Sequence, residues 1–463
     1  MRRPATGTNE NVALFVTFFV YEKQQIIRYI LRTASMSRPQ TPPHEPRYNV
    51  HVAPETIEQL IATAFPQIEL LSHSELETNK GYNNRLYFLK VRRRAGPGQS
   101  SVFRGTDAAE RELVLKVNGR FFFSDKVQNE VGCLQVLRQH CPDIPTPTVL
   151  AWSEDGAAVA LASPSAPEEK KHVALLISEA DKQHGGWILM SRLPGIPLSA
   201  CDDLDEATRL DIMRQLAAMA ASWRTKVPAQ EFVGNIQFHQ PTAHAAEPDF
   251  VITDNAGPQP QNLVVRGILV DELRIATPIT SVTQQYTLKM EEKLKQLESN
   301  DNYTHNRHLA PEIRSFITDT LPQLDAIRQL QGTSSSNFVF THYDVSPRNI
   351  LVSGSPPKIS GIVDFEFAGF FAPVEEFLND AVGNEGDWPE HLYKAYLREL
   401  GARDIATPTA GISVSIWNAV HCLERVADNI APWWLPGRYA GAALDEQFAK
   451  SATELQENLR KLS

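Results

Sequence analysis

The chain has 463 residues, of which 42% are hydrophobic and 22% are charged, and its formal net charge is −10. This length and composition predict a globular protein with two or three cored domains, and the negative charge disfavours a nucleic-acid-binding role. Its 4 cysteines are too few and too scattered for a disulfide scaffold or a thiolate metal site, which favours a reducing compartment.

Residues 1–48 are predicted to be a disordered leader. The apolar run from Val12 to Tyr21 is shorter than the ~20 residues that span a bilayer, so we expect no stable membrane anchor. Because Met36 opens a segment rich in proline and serine, residues 1–35 are interpreted as a mispredicted extension of the natural start. Acidic residues weaken a mitochondrial transit-peptide reading, so a cytoplasmic location is favoured over a mitochondrial one.

A glycine turn comes next in the chain. After a predicted helix over Pro54–Phe65, the apolar runs Ile68–Leu71 and Leu86–Leu89 predict a β-hairpin with Gly81 in its turn. Backbone amides at such a turn are suited to lie over phosphates, which makes Gly81 a candidate nucleotide-binding residue. Asparagine and glycine are also ordinary turn formers, so a plain hairpin explains this segment taken alone.

An apolar strand with one central cation, Glu112–Val117, brings Lys116 to the interior of a predicted sheet. A following helix, Lys126–Gln139, carries Glu130 among apolar residues at helical spacing, so we expect Glu130 to pair with Lys116 and keep it charged. Lys90 occupies a similar run, Tyr87–Val91, but that run directly precedes three arginines, so Lys90 is better explained as part of a solvated strand end.

The run Trp187–Gly195 is a hydrophobic strand that ends in a Pro-Gly break, as a hinge between two lobes would. Backbone groups from Met190 to Arg192 are expected to hydrogen-bond an adenine edge while Met190 packs against its face. An edge strand that ends in a turn would look the same. Further helices are predicted over Leu204–Lys226, Thr283–Asn300 and Pro311–Gln331.

The most specific pattern is Thr341–Val352, which reads HxDxxxxN and is followed by Asp364 after the apolar residues Ile362-Val363. Here an Asp stands five residues before an Asn, and the second Asp follows on the next strand. In phosphoryl transfer, Asp344 would accept the proton of a hydroxyl, while Asn349 and Asp364 would bind Mg²⁺ through hard oxygen ligands. Such residues also meet by accident in an acidic chain, but the ordered upstream partners argue against accident.

Taken in order, the glycine turn, Lys116, Glu130, WILMSRLPG, THYDVSPRNILV and IVDFEFAG resemble the aminoglycoside phosphotransferase superfamily, especially its fungal-type members, from about Ile68 to about Asp380. The resemblance to choline and fructosamine kinases is more distant. The resemblance to the aminoglycoside phosphotransferase superfamily implies an α+β, bilobal, protein-kinase-like fold with ATP bound between the lobes. The N-terminal lobe, residues 49–192, would hold a small antiparallel sheet, and residues 193–463 would form a larger, mainly helical catalytic and acceptor-binding lobe.

The resemblance also implies a role for each matching residue. Asp344 would be the catalytic base, Lys116 and Glu130 would anchor phosphate, and Asn349 and Asp364 would be the Mg²⁺ ligands. The residues expected to bind the nucleotide are Gly81, Lys116, Met190 and Arg192.

Three positions depart from the superfamily pattern or adjoin it, namely Tyr343, Arg348 and Glu366, and we expect the acceptor near them. Arg348 and Glu366 are the candidate acceptor ligands. Glutamates and tryptophans further along suit a cationic acceptor such as an amino sugar, a choline-like compound or a glycated amine. A solvated acidic surface and core tryptophans would give the same residues.

We therefore predict an ATP- and Mg²⁺-dependent phosphotransferase that acts on a hydroxyl of a small molecule. A protein Ser/Thr kinase is the first alternative, although Asp364 is followed by Phe-Glu, the chain lacks a GxGxxG loop, and no APE segment follows Asp364 to close an activation loop. A nucleotide-binding pseudokinase without turnover is the second alternative. No residue pattern indicates the oligomeric state.

Overall fold

A computed structural model describes residues 41–42, 45–76, 81–94, 110–119, 124–154, 160–161, 186–238, 263–270, 273–333, 338–377, 388–407 and 413–463. Most of the predicted leader, the tip of the glycine turn at 77–80 and the residue Asp380 lie outside these ranges. None of the described helices is both long enough and apolar enough to span a lipid bilayer.

A six-stranded sheet dominates the N-terminal part of the chain. Its strands are β1 (Ile68–Glu75), β2 (Asn84–Arg93), β3 (Arg111–Asn118), β4 (Val149–Ser153), β5 (Ala160–Leu161) and β6 (Trp187–Ser191). They lie in the order β1-β2-β3-β6-β4-β5, and every neighbouring pair is antiparallel. The predicted antiparallel N-terminal sheet is therefore confirmed.

The two faces of this sheet have different neighbours. Leu89 and Leu115 belong to a core that also contains Ile57 and Leu60 of helix α1 (Pro54–Ala64), so α1 covers the outer face. Side chains alternate between faces along a strand, and Lys116 therefore projects from the inner face. Helix α2 (Ser124–His140) runs behind that face and packs against β4 and the short strand β8 (Ile236–Phe238).

The C-terminal part is mainly helical. Its α-helices are α3 (Glu206–Lys226), α4 (Val282–Ser299), α5 (Ala310–Ser315), α6 (Asp325–Thr333), α7 (Glu390–Gly401), α8 (Val414–Ile430), α9 (Trp434–Arg438) and α10 (Ala442–Leu462). Buried residues of these helices join one large core that also contains the inner face of α2. A mainly helical second lobe thus packs beneath the small sheet, as the bilobal fold requires.

One predicted helix is wrong in its extent. The segment expected to be helical over Pro311–Gln331 is divided into α5, a π-helical turn over Phe316–Thr320, a 3₁₀ turn over Leu321–Gln323 and α6. Pro322 explains the break, because proline lacks an amide hydrogen and clashes with the carbonyl of the preceding turn. Hydrophobic periodicity continues across the break and therefore concealed it.

Short strands hold the segments that carry the HxDxxxxN pattern. β7 (Ile196–Pro197), β13 (Ile350–Ser353) and β14 (Lys358–Ile362) form one antiparallel sheet, and β12 (Val339–Thr341) pairs with β15 (Gly369–Phe371). The remaining short strands are β9 (Leu263–Val265), β10 (Ile268–Val270) and β11 (Leu273–Ile275). The loop between β12 and β13 is consequently fixed at both ends.

Candidate active site

Lys116 lies at the centre of a buried charge cluster between the two lobes. Its Nζ lies 2.6 Å from Glu130 Oε2, 2.6 Å from Asp364 Oδ1 and 2.9 Å from Glu366 Oε2. Burial by itself would lower the pKa of Lys116, but the carboxylates of Asp364, Glu130 and Glu366 raise it well above its ordinary value. The predicted pairing of Lys116 with Glu130 is present. Through its contact with Asp364, the Lys116 ammonium also joins the sheet to the second lobe.

Lys90, the rival cation, lies elsewhere. Its side chain is 47% exposed and its ammonium lies 2.5 Å from Glu110 Oε2 at the far end of β2. A solvated strand end accounts for that residue, as the sequence indicated.

Glu366 joins the glycine turn to the end of strand β14. Its Oε1 accepts a hydrogen bond from Asn83 Nδ2 at 2.8 Å, and its Oε2 accepts one from Asn84 Nδ2 at 2.6 Å. The ammonium of Lys126 lies 3.1 Å from the same Oε2. Although burial opposes ionisation, Lys116 and Lys126 hold the pKa of Glu366 well below its usual range. Glu366 is only 1% exposed, so its burial does not support the expected contact with an acceptor.

Asp344 is held by two neighbours in the loop after β12. Its Oδ1 accepts a hydrogen bond from Arg348 Nη2 at 2.6 Å, and its Oδ2 accepts one from Asn349 Nδ2 at 2.9 Å. The Asn349 amide also donates to the backbone oxygen of Asp344 at 3.0 Å. The carboxylate is 13% exposed, so it is oriented by the loop and still reaches the surface of the cleft.

His342 supports this loop from beneath. Its Nε2 lies 3.1 Å from the backbone oxygen of Val363, and its ring centroid lies 4.4 Å from that of Phe365. Burial lowers the pKa of His342 to about 4, so the ring is neutral at physiological pH. A neutral imidazole that donates to a carbonyl joins the two segments of the site.

Two residues of the site adopt unusual backbone conformations. Tyr343 has φ 72° and Asp364 has φ 70°, whereas only two other described residues besides glycine, Asn49 and Asp404, have positive φ. Non-glycine residues are strained in this region, and such strain persists where the surrounding contacts over-determine it. Tyr343 directly precedes the carboxylate of Asp344, and Asp364 is itself the second carboxylate of the phosphotransfer pattern.

Asn349 and Asp364 are brought side by side by the pairing of β13 with β14. The amide of Val363 donates to the backbone oxygen of Asn349 at 3.0 Å, and Ile350 lies opposite Ile362 in the register. Within the described part of the chain, neither Asn349 Oδ1 nor Asp364 Oδ2 accepts a hydrogen bond. An amide oxygen and a carboxylate oxygen without donors form a donor set that suits Mg²⁺.

Burial and the neighbouring charge of Glu366 raise the pKa of Asp364 to about 7. Its side chain is nevertheless 32% exposed, unlike those of Glu130 and Glu366, which are 4% and 2% exposed. Of these three carboxylates, Asp364 is the one that solvent or a ligand reaches.

The inner face of the sheet forms an apolar surface beside Lys116. Opposed residues in an antiparallel sheet share a face, and the register places Leu86 and Ile188 opposite Lys116. Phe88 and Met190 lie opposite Val114 in the same way. Leu86 and Phe88 are partly exposed on this apolar face, whereas Ile188 and Met190 are buried, and the contact of Met190 with a nucleotide base stays a prediction.

The hinge differs from the expectation in its hydrogen bonds. The amide of Ser191 donates to Thr148 O at 2.9 Å, and the amide of Arg192 donates to Glu112 O at 3.1 Å. These two amides are therefore not available to an adenine edge. The guanidinium of Arg192 lies 4.3 Å from the ring centroid of Phe88, at the border of the apolar surface.

Gly81 precedes β2 and has φ +113°. Residues other than glycine rarely adopt this backbone conformation. The adjacent Tyr82 ring lies 6.1 Å from that of Trp433, centroid to centroid, so this turn reaches the second lobe. Since Asn83 and Asn84 bind Glu366, the turn also lies close to the strand end that carries Asp364. The contact of Gly81 with phosphate stays a prediction.

The other acidic side chains that suggested a cationic acceptor have internal partners. Glu375 is fully buried, and its Oε1 accepts hydrogen bonds from Gln285 Nε2 at 3.2 Å and from Tyr286 Oη at 3.3 Å. Glu424 lies 2.5 Å from the ammonium of Lys289. Glu376, which is 1% exposed, forms an ion pair with Arg224. These contacts explain the residues as parts of the helical core.

Sequence reasoning missed three supporting side chains. Lys126, four residues before Glu130 and therefore on the same helical face, donates to Asn84 Oδ1 at 2.9 Å. Asn129 Nδ2 donates to the backbone oxygens of Glu366 and Ala368, at 2.9 Å each. Trp388 Nε1 donates to the backbone oxygen of Val345 at 2.6 Å. Helical spacing contained a signal for Lys126, but the long-range contact of Trp388 left none.

Comparison with known proteins gave a family and distant structural likenesses. The model of a family described as a phosphotransferase enzyme family, APH, matches residues 91–410. No curated protein sequence matches the chain.

Three solved structures illustrate the structural likeness. ADP-bound aminoglycoside phosphotransferase APH(2'')-Ib has 11% identity and a TM-score of 0.46, covering 89% of this chain and 99% of its own. The streptomycin-ATP-APH(2'')-IIa ternary complex has 12% identity and a TM-score of 0.48, covering 88% and 97%. A thermostable APH(4)-Ia mutant with ADP and hygromycin B has 12% identity and a TM-score of 0.42, covering 88% and 98%.

Proposed function

Since the chain belongs to the APH phosphotransferase enzyme family, whose model matches residues 91–410, we propose that it transfers the γ-phosphoryl group of ATP to a hydroxyl of a small molecule, with Mg²⁺ as cofactor. The observation that carries this proposal is the ion pair between Lys116 and Asp364. It brings the cation of the N-terminal sheet to the strand end beside Asp344 and Asn349, so the residues proposed to bind phosphate, bind metal and act as the base would share one cleft.

Asp344 is the base in this proposal. Asn349 and Arg348 hold the two carboxylate oxygens, which directs the carboxylate toward one position of the cleft. A carboxylate oxygen can accept more than one hydrogen bond, so these contacts are compatible with Asp344 accepting the proton of the acceptor hydroxyl. A positioned base of this kind contributes about 10²- to 10⁴-fold to the rate.

Lys116 and Asp364 act on the donor side. In the proposed complex the ammonium of Lys116, oriented by Glu130 at 2.6 Å, binds phosphate oxygens of ATP. Asn349 and Asp364 would hold Mg²⁺ through the two oxygens that accept no hydrogen bond within the described part of the chain. When bound, the ion neutralises charge on the phosphate oxygens. The apolar surface around Met190 would pack against the base.

Four of the acidic residues that suggested a cationic acceptor do not support that acceptor class. Glu366, Glu375, Glu376 and Glu424 all have internal partners. An amino sugar, a choline-like compound or a glycated amine therefore gains no support from these four residues. A hydroxyl acceptor as such does not depend on these residues.

A direct assay tests the proposed function. Purified protein is incubated with Mg-ATP and a panel of polyols, hydroxy acids, sugar phosphates and amino sugars, and ADP release is measured. Release that depends on one of these small molecules supports the proposal. Phosphorylation of added protein substrates alone would select a protein kinase instead, and ATP binding without any release would select a pseudokinase.

A further inference from the structure

A cavity of about 420 Å³ adjoins the loop that carries Asp344. It lies between that loop, the N-terminal part of α3 and the start of α7, and its wall includes Ser346, Arg348 and Trp388. Trp388 also donates to the backbone oxygen of Val345, so one wall is bonded to the loop itself. The cavity therefore borders the loop that carries the base, and Arg348 is a lining residue that contacts Asp344.

Arg348 connects the base with the cavity. Its Nη2 lies 2.6 Å from Asp344 Oδ1, while its side chain lines the cavity and is 49% exposed. A guanidinium has five N–H donors in a planar fork, so it can keep its bond to one carboxylate while it binds a second anion. A group bound by Arg348 would consequently be separated from Asp344 only by the Arg348 side chain.

The charge of the cavity favours an anion. Among the described residues that line it, two arginines, Arg209 and Arg348, outnumber one carboxylate, Asp202. Arg209 is fixed in place, because its Nε and Nη2 donate to the backbone oxygens of Leu204 and Asp202 at 3.0 Å and 3.1 Å. The glutamates that would have attracted an amine are buried elsewhere. A cationic acceptor would meet two arginines here.

We propose that this cavity receives the acceptor and that Arg348 binds an anionic group on it, a carboxylate or a phosphate monoester, which makes the acceptor a hydroxy acid or a sugar phosphate. This inference rests on the proposed phosphotransferase function. The acceptor hydroxyl oxygen forms a bond to the γ-phosphorus of ATP, the bond from that phosphorus to the β,γ-bridging oxygen breaks, the hydroxyl proton passes to Asp344, and ADP leaves.

Matched acceptors and a matched variant test the inference. ADP release is measured with glycerol, glycerate and glycerol 3-phosphate, and with glucose, glucose 6-phosphate and glucosamine. We expect the anionic members to have a KM lower than that of their neutral partners by about 10- to 100-fold, the range for hydrogen bonds to a charged group. The carboxylate and phosphate members distinguish the two kinds of anion.

Arg348→Gln should abolish this preference, and Arg348→Lys, which keeps the charge, should restore part of it. Arg328→Gln serves as the control, because Arg328 pairs with Asp325 on α6 and does not line the cavity. A preference for neutral or amine acceptors would overturn the inference. So would an Arg348→Gln variant that loses kcat equally for all acceptors, since that result assigns Arg348 to positioning Asp344 alone.

A second measurement does not depend on turnover. Cys201 lines the same cavity and is partly exposed, so its alkylation rate, followed by peptide mass spectrometry, reports occupancy. Glycerol 3-phosphate or glycerate should slow alkylation of Cys201 in the wild-type protein but not in Arg348→Gln, and glycerol should have no effect.

The two measurements separate the two hypotheses. Protection of Cys201 by the anion without ADP release from any acceptor would retain the anion site and reject phosphotransfer. Acceptor-dependent ADP release without protection or charge preference would retain phosphotransfer and reject the anion site.

Discussion

The ammonium of Lys116 on β3 lies 2.6 Å from Oδ1 of Asp364, which follows β14 in the other lobe and is 248 residues away in the chain. One buried charge thus joins the two halves of the cleft. Because Glu130 and Glu366 contact the same ammonium, the site contains more negative than positive groups around Lys116.

Lys116→Met should weaken ATP binding at least about tenfold and lower the free energy of unfolding by about 3 kcal/mol, because it leaves buried carboxylates without their cation. Calorimetry and urea denaturation measure the two effects. Lys90→Met removes a lysine from the neighbouring strand where the side chain is 47% exposed, and it should leave both quantities unchanged. Equal effects of the two variants would contradict the assignment of Lys116.

Asp344→Asn should lower kcat by about 10²- to 10⁴-fold, because an amide cannot accept the proton of the acceptor hydroxyl. The Asn side chain keeps the size of the carboxylate and can still accept from Asn349 Nδ2. We therefore expect the affinity for Mg-ATP to stay within about twofold of the wild-type value. Unchanged turnover in this variant would falsify the assignment of the base.

Asp364→Asn tests the metal site separately. The substitution removes the charge beside Asn349 but keeps the shape of the side chain, so it should weaken ATP binding mainly when Mg²⁺ is present. ATP affinity is compared with Mg²⁺ and with EDTA for both proteins. If the variant and the wild type differ equally under both conditions, Asp364 acts through Lys116 and not through a metal.

Glu366→Ala should be destabilising, because Lys116 and Lys126 both depend on this buried carboxylate. Removing one partner of a buried ion pair costs about 3 to 5 kcal/mol, measured here as the free energy of unfolding in urea. The ratio of KM values between anionic and neutral acceptors should not change. A stable variant with a raised acceptor KM would restore the original prediction that Glu366 binds the acceptor.

Glu375 should make stability depend on pH. Burial and the like charge of Glu424 raise its pKa from 4.5 to about 8 despite the nearby Lys289, so the folded state binds a proton that the unfolded state has already released. The free energy of unfolding should therefore decrease as the pH rises from about 5 to 8, by about 3 kcal/mol relative to Glu375→Gln, which cannot titrate.

Urea denaturation of both proteins across this pH range measures the difference. Glu454→Gln, at a carboxylate that is 41% exposed, is the matched control and should follow the wild-type profile. Parallel profiles for wild type and Glu375→Gln would show that Glu375 is charged in the folded protein.

Local pattern predicted much of the fold. Periodicity of apolar residues predicted the helix over Pro54–Ala64, the strand with Lys116 and the helix with Glu130. Residues on one face of a helix or strand are only two to four positions apart in the chain, so their spacing can be recognised in the sequence. The break at Pro322 was missed for the same reason, because apolar spacing resumes after it. Here apolar spacing predicted a continuous helix, whereas Pro322 interrupts it, and the structure follows the proline.

The sequence by itself determined the residue types of the site and their order, because the HxDxxxxN spacing and the strand before Asp364 are local properties of the chain. Only the tertiary structure decided which partners these residues have. In that structure Glu366 contacts Lys116, Lys126 and the asparagines of the glycine turn, and Arg348 lines a cavity. Such contacts join residues hundreds of positions apart, so they depend on how the elements pack and no local spacing encodes them.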